Sequence, residues 1–183
     1  MKILNDLIQQ AQSSFKSDIF FMDHSPHWGS ASPDYRTELR KCLSKYFQIH
    51  YPDQVNLTLT DLKKLPVTDR LFISISHCPE FGCFVISSKP VGLDVERLDR
   101  LKKEIIQRVC TEKELSEAPE PQLLWSAKEA VFKCSHLYKV LSDAKIDQWQ
   151  TSQNETFQFS NANQLGWIKK SFTHMAALVV KNS

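Results

Sequence analysis

The sequence predicts an α+β protein. Apolar residues fall at helical spacing near the N-terminus and again from Leu123 to Leu137. Strand-like runs gather between residues 71 and 96 and again between residues 156 and 180. The two kinds of element mix without the strict alternation that a doubly wound parallel sheet requires.

Ile3, Leu4, Leu7, Ile8, Ala11 and Phe15 share one side of a helix over residues 2–15, with polar residues opposite. Pro33 opens a second helical pattern that puts Leu39, Leu43 and Phe47 on one side. Leu71 to His77 alternates Leu71, Ile73, Ile75 and His77 against Phe72, Ser74 and Ser76, the period of a strand. Cys83 to Ser88 is β-branched and aromatic, and Pro79-Glu80-Phe81-Gly82 joins these two runs as a hairpin turn. A third strand runs from Val91 to Glu96. Leu98, Leu101, Ile105 and Val109 then predict a helix, and Thr111-Glu112-Lys113-Glu114 reads as a capping box that starts another. Leu123 to Leu137 is the longest later helix. Thr156–Phe159, Leu165–Lys169 and Ser171–Val180 read as strands.

At 183 residues the chain is one domain, or two small halves sharing a core. A formal charge of +2 is too small to drive nucleic-acid binding, so no nucleic-acid partner is expected. The only glycines are Gly29, Gly82, Gly92 and Gly166, so neither a phosphate-binding glycine loop nor a dinucleotide fingerprint can form. Any phosphate must be held by side chains or a metal. Asn5 and Asp6 interrupt the first apolar run, so no signal peptide is expected. The longest later apolar run, Met175 to Val180, is far too short to span a bilayer. The five cysteines form no Cys-x-x-Cys pair and read as free thiols in a reducing, cytoplasmic setting.

Three segments carry chemistry. In Gly92-Leu93-Asp94-Val95-Glu96 the strand period puts Asp94 and Glu96 on one side. Such a pair is either a solvated edge or a cation site, because adjacent carboxylates repel unless a cation lies between them. In Trp125-Ser126-Ala127-Lys128-Glu129-Ala130-Val131-Phe132-Lys133, Glu129 and Lys133 share a helix face, as a salt bridge or as site residues. Ser76-His77 ends a strand, where a histidine can be structural or functional. Asp23-His24-Ser25-Pro26-His27 reads as a loop rather than a zinc site. Taken together, three carboxylates, a lysine and a histidine are the parts of a magnesium–phosphate site.

These segments resemble the 4′-phosphopantetheinyl transferase superfamily, closest to its two-lobed Sfp-type branch. Its members share a Gly-hydrophobic-Asp-x-Glu strand and a later Trp-or-Phe-x-x-Lys-Glu-Ala-x-x-Lys helix, here Gly92 to Glu96 and Trp125 to Lys133. Ser76-His77 resembles the branch's Ser-His element, and His174-Met175-Ala176 its last core strand. The resemblance implies two similar α+β halves, residues 1–88 and 89–183, with the active site in the cleft between them. It implies transfer of the phosphopantetheine arm of coenzyme A to a serine of an apo acyl or peptidyl carrier protein, releasing 3′,5′-ADP. Asp94, Glu96 and Glu129 would ligate Mg²⁺, with Mn²⁺ as an alternative. Glu129 and Lys133 would be catalytic. Ser76, His77, Arg36, Lys64, Lys128 and Lys133 would contact coenzyme A, with Arg36 on its 3′-phosphate.

The sequence departs from the branch in places. Ser74 stands where an asparagine is usual, and Asp94 and Glu129 are only 35 residues apart (129 − 94). The shortened segment from Glu96 to Trp125 is where the family docks its carrier. One chain supplies both halves, so a monomer is expected, with no membrane partner. Two other readings fit the same carboxylates: a Mg²⁺-dependent phosphoesterase, and a degenerate binder of coenzyme A or carrier protein.

Overall fold

The computed structural model describes residues 2–52, 70–135, 137–151 and 156–182. Among these are five α-helices: α1 (Lys2–Ser14), α2 (Tyr35–His50), α3 (Lys103–Gln107), α4 (Glu112–Glu117) and α5 (Pro121–Cys134). The strands are β1 (Phe20–Ser25), β2 (Phe72–His77), β3 (Gly82–Ser87), β4 (Val91–Arg97), β5 (Gln148–Thr151), β6 (Thr156–Asn161), β7 (Gln164–Lys170) and β8 (His174–Lys181). They form two antiparallel sheets, ordered β1-β3-β2 and β4-β8-β7-β6-β5. The α+β class is as the sequence predicts.

Side-chain alternation on the strands decides the layering. On β8, Ala176, Leu178 and Val180 face one way and Met175, Ala177 and Val179 the other. The first set, with Leu93 and Val95 of β4 and Cys83 and Val85 of β3, packs against Ile3, Leu4, Leu7 and Ala11 of α1. A single helix thus covers one face of both sheets. The opposite faces go to different helices. Leu123, Leu124, Ala127, Ala130 and Val131 of α5 cover the five-stranded sheet, and Leu39, Leu43 and Phe47 of α2 cover Phe84 and Ile86 of the smaller one. Each fully buried leucine or phenylalanine contributes roughly 1.5–3 kcal/mol.

The sheets meet where β2 runs beside β4, and serine hydroxyls replace the main-chain ladder there. Ser74 Oγ accepts from the Leu93 amide at 2.9 Å, and Ser76 Oγ from the Val95 amide at 3.1 Å. A buried amide without a partner would be costly, so both serines are structural necessities at this seam. The departure at Ser74 therefore has a local purpose.

Gly92 fixes how closely α5 approaches. A Cβ at Gly92 would lie 1.9 Å from the Ala130 carbonyl oxygen and 2.7 Å from the Cys134 amide nitrogen. Only glycine allows the helix backbone to rest on β4, and that contact brings α5 against the carboxylates of the strand.

The structure corrects several element predictions. The region 98–109 is not one helix: a 3₁₀ turn at Leu98–Arg100 is followed by extended backbone at Leu101 (φ −87°, ψ 101°) before α3. The Leu98 amide is taken by the Thr173 carbonyl at 3.0 Å, which ties this segment to the sheet instead of to a helix. Helix α5 ends at Cys134, because Ser135 is extended. Asp23-His24-Ser25 is not loop but the end of β1, paired in register with Phe84, Cys83 and Gly82 of β3. The Thr111–Glu114 capping box is present in both of its hydrogen bonds. Among the described residues no helix is long and apolar enough to cross a membrane.

Candidate active site

Asp94 is the point where β2, β4 and α5 converge. It lies on the α5 side of β4 and is only 4% exposed. Ser126 of α5 donates to its Oδ2 at 2.7 Å, and Lys133 to its Oδ1 at 2.8 Å. Ser76 of β2 donates to the same Oδ1 at 3.2 Å while accepting from the Val95 amide and from Lys133. One hydroxyl hydrogen and two lone pairs are thereby all used. Lys133 also reaches Glu129 at 4.0 Å. Burial alone would pull the Lys133 ammonium down, but Asp94 and Glu129 outweigh it and hold it above its ordinary value.

The remaining carboxylates crowd the same space. Burial pushes the Glu96 carboxyl above the usual carboxylate range, and the charge of Asp94 pushes it further. Burial does the same to Glu129, opposed by Lys133 and reinforced by Asp94 and Glu96. Asp94 and Glu129 thus flank the Lys133 ammonium, while Glu96 beside them is reached by Arg100 at 3.8 Å. A hard divalent cation suits an all-oxygen set with surplus negative charge. The donor chemistry of Asp94, Glu96 and Glu129 fits such an ion, though their oxygens do not all lie within 4.8 Å of one another.

His77 ends β2 on the other side of the seam. Its Nε2 lies 3.1 Å from the Tyr35 hydroxyl, which accepts from Arg36 Nε at 2.8 Å. The hydroxyl keeps its own hydrogen for His77, so the network assigns the proton of the neutral imidazole to Nδ1. Burial pulls the His77 pKa below its ordinary value, and the charges of Lys133 and Arg36 pull the same way. Three basic groups from three elements, α2, β2 and α5, therefore repel one another in a form that an anion would relieve. Beside Lys133 a cleft of about 430 Å³ opens between β2 and the end of α5, lined by Ile73, Ile75, Phe132 and Tyr138.

The structure brings together Asp94, Glu96, Glu129, Lys133 and Ser76, and sets His77 and Arg36 beside them. It does not bring Lys128. That ammonium is fully buried and pairs with Glu114 at 2.7 Å, so the expectation that Lys128 contacts coenzyme A is at odds with its placement. Consecutive helix residues differ by about 100° in direction, and Lys128 cannot share the face of Glu129. Lys64 lies outside the described residues. The structure adds Ser126 and Tyr35. Ser126 could have been found, since it stands three and seven residues before Glu129 and Lys133 on the same helical face. Tyr35 has no signal beyond adjacency to Arg36.

Residues 90–180 match the family model of the 4′-phosphopantetheinyl transferase superfamily. That span opens just before β4, closes within β8, and contains Asp94, Glu96, Glu129 and Lys133. The match supports a transferase concerned with phosphopantetheinyl transfer. No curated protein matches the chain significantly.

Proposed function

We propose that this chain, whose C-terminal half carries a domain of the phosphopantetheinyl transferase superfamily, moves the 4′-phosphopantetheine arm of coenzyme A onto a serine of an apo acyl or peptidyl carrier protein. The other product is 3′,5′-ADP. The observation that carries this reading is the cluster of Asp94, Glu129 and Lys133 with Ser76, with Glu96 and His77 within electrostatic reach of it. We read residues 1–88 and 89–183 as the two lobes of the Sfp-type branch, working as a monomer, since one chain supplies β2 and β4 alike.

Asp94, Glu96 and Glu129 would hold Mg²⁺, or Mn²⁺ in its place. When bound, the ion neutralises charge on the pyrophosphate. The chain's own residues do the rest. The carrier serine oxygen forms a bond to the phosphorus bearing the pantetheine arm, and the bond from that phosphorus to the bridging oxygen of 3′,5′-ADP breaks. Glu129 takes the serine proton; burial holds its carboxyl above the usual carboxylate range, the direction that favours a general base. Lys133, held cationic by Asp94, meets the charge that grows on the leaving phosphate and can return a proton to it. His77 offers its Nδ1 hydrogen to a coenzyme A phosphate, and Arg36 takes the 3′-phosphate. Positioning and electrostatics suffice for this class of reaction.

The test is incubation with a fluorescent coenzyme A derivative and apo carriers of fatty-acid, polyketide and nonribosomal-peptide type, with Mg²⁺ or with EDTA. Fluorescent carrier formed only with metal supports the proposal. Coenzyme A cleavage with every carrier unlabelled is the phosphoesterase outcome and overturns it.

A further inference from the structure

The turn that follows His77 carries a second constellation, independent of the transfer chemistry. Cys78 and Glu80 lie in the β2–β3 turn and His174 begins β8, and a ligand atom of each lies within 4.8 Å of the other two. We propose that Cys78 Sγ, Glu80 Oε2 and His174 Nε2 bind a borderline-soft divalent transition metal of the zinc class, with solvent completing the coordination.

The donors are three different elements of a zinc set: thiolate, carboxylate and imidazole. Zinc bonds of about 2.0–2.3 Å in a tetrahedron require ligand atoms roughly 3.3–3.8 Å apart, so closing a pair now as far as 4.8 Å apart needs a movement of about 1.5 Å at most. His174 Nε2 already lies 3.2 Å from Glu80 Oε2, where the ion would replace a shared proton. The imidazole is also supported from behind. Thr173 Oγ1 lies 2.8 Å from His174 Nδ1, and the Phe81 ring packs against the histidine with centroids 5.3 Å apart. A partner on the second ring nitrogen is what metal-binding histidines characteristically have. Arg97 holds the other Glu80 oxygen at 2.7 Å and so orients the carboxylate without occupying Oε2. The turn itself is fixed, with the Cys78 amide bonded to the Phe81 carbonyl at 2.9 Å and the Cys78 carbonyl accepting from Ser30 at 2.8 Å. The thiol is buried, contacts the Phe81 carbonyl at 3.5 Å and interacts with the Glu80 carboxylate beside it. Binding forms the metal–sulfur bond and releases the thiol proton to solvent.

Because the buried Cys83 lies within electrostatic reach of Asp94 and Lys133, loss of the sulfur signature in the Cys78 variant is what separates the two sites. Titration of the whole chain with Co²⁺ should give one equivalent bound with a thiolate-to-cobalt charge-transfer band, displaced by Zn²⁺. Cys78→Ser should abolish the band. Glu80→Gln, on the surface and with its folding checked by circular dichroism, and His174→Asn should weaken binding at least about 10-fold. Thr173→Val should weaken it by about 10–100-fold through the imidazole. No charge-transfer band in the unaltered chain, or a band unchanged in both Glu80→Gln and His174→Asn, overturns the proposal.

Discussion

Replacing Gly92 by alanine tests how the site is assembled. The new methyl would start 1.9 Å from the Ala130 carbonyl oxygen, whereas ordinary contact begins at 3.4 Å, so α5 must lift from β4 by about 1.5 Å. Overpacking of this kind costs about 1–3 kcal/mol. In a chain of this size that lowers Tm by roughly 2–12 °C. The larger effect is geometric. Ser126 is too short to follow, so its 2.7 Å bond to Asp94 would stretch beyond hydrogen-bonding range. A misplacement near 1 Å costs about 100-fold in rate. Phosphopantetheine transfer at a temperature where the variant is fully folded should therefore fall by about 100-fold or more. A Gly92→Ala protein with unchanged Tm and unchanged turnover would refute the argument that this glycine sets the distance between helix and strand.

Three further outcomes follow from the same geometry. Lys133→Met leaves Asp94 buried without its cation, which should cost about 1–3 kcal/mol and remove transfer while coenzyme A still binds; lost binding with intact turnover per bound complex would reverse that role. Lys128→Met strips Glu114 of its buried partner and should destabilise by about 3–5 kcal/mol, read by denaturant unfolding, with coenzyme A affinity unchanged. A weakened affinity in a folded Lys128→Met protein would restore Lys128 to the binding site. The His77 imidazole should titrate below about 6.5 by NMR. Since the folded value is depressed, its contribution to stability is full above the unfolded pKa and is lost as pH falls through the folded one. Saturation with 3′,5′-ADP should raise the titration midpoint, as the bound anion offsets Lys133 and Arg36; an unmoved midpoint would place the phosphates elsewhere.

Much of the site was legible because it obeys local periods. The strand period put Asp94 and Glu96 on one side, and the helical period put Glu129 with Lys133. The same helical arithmetic separates Lys128 from Glu129, so its buried pairing with Glu114 is a fact of spacing as well as of tertiary structure. Other features depend on distant partners. β1 shows no alternation and is a strand because each of its residues pairs with β3. β5 is a short polar strand, mostly exposed, at the edge of the five-stranded sheet, with nothing in Gln148–Thr151 to announce it. The break in residues 98–109 goes with the hydrogen bond from the Leu98 amide to the Thr173 carbonyl, far along the chain. The meeting of Arg36, Tyr35 and His77 likewise needs α2 to dock beside β2, which no short spacing encodes.

The central claim is that the carboxylates at the seam serve transfer of phosphopantetheine to a protein. Intact-mass spectrometry of apo carrier proteins tests it most directly, after incubation with coenzyme A, Mg²⁺ and either the unaltered chain or Asp94→Asn. The account predicts a carrier heavier by one phosphopantetheine and an equal yield of 3′,5′-ADP, absent with EDTA and absent with Asp94→Asn. A mass gain that persists in folded Asp94→Asn, or coenzyme A bound with no carrier ever modified, would contradict it.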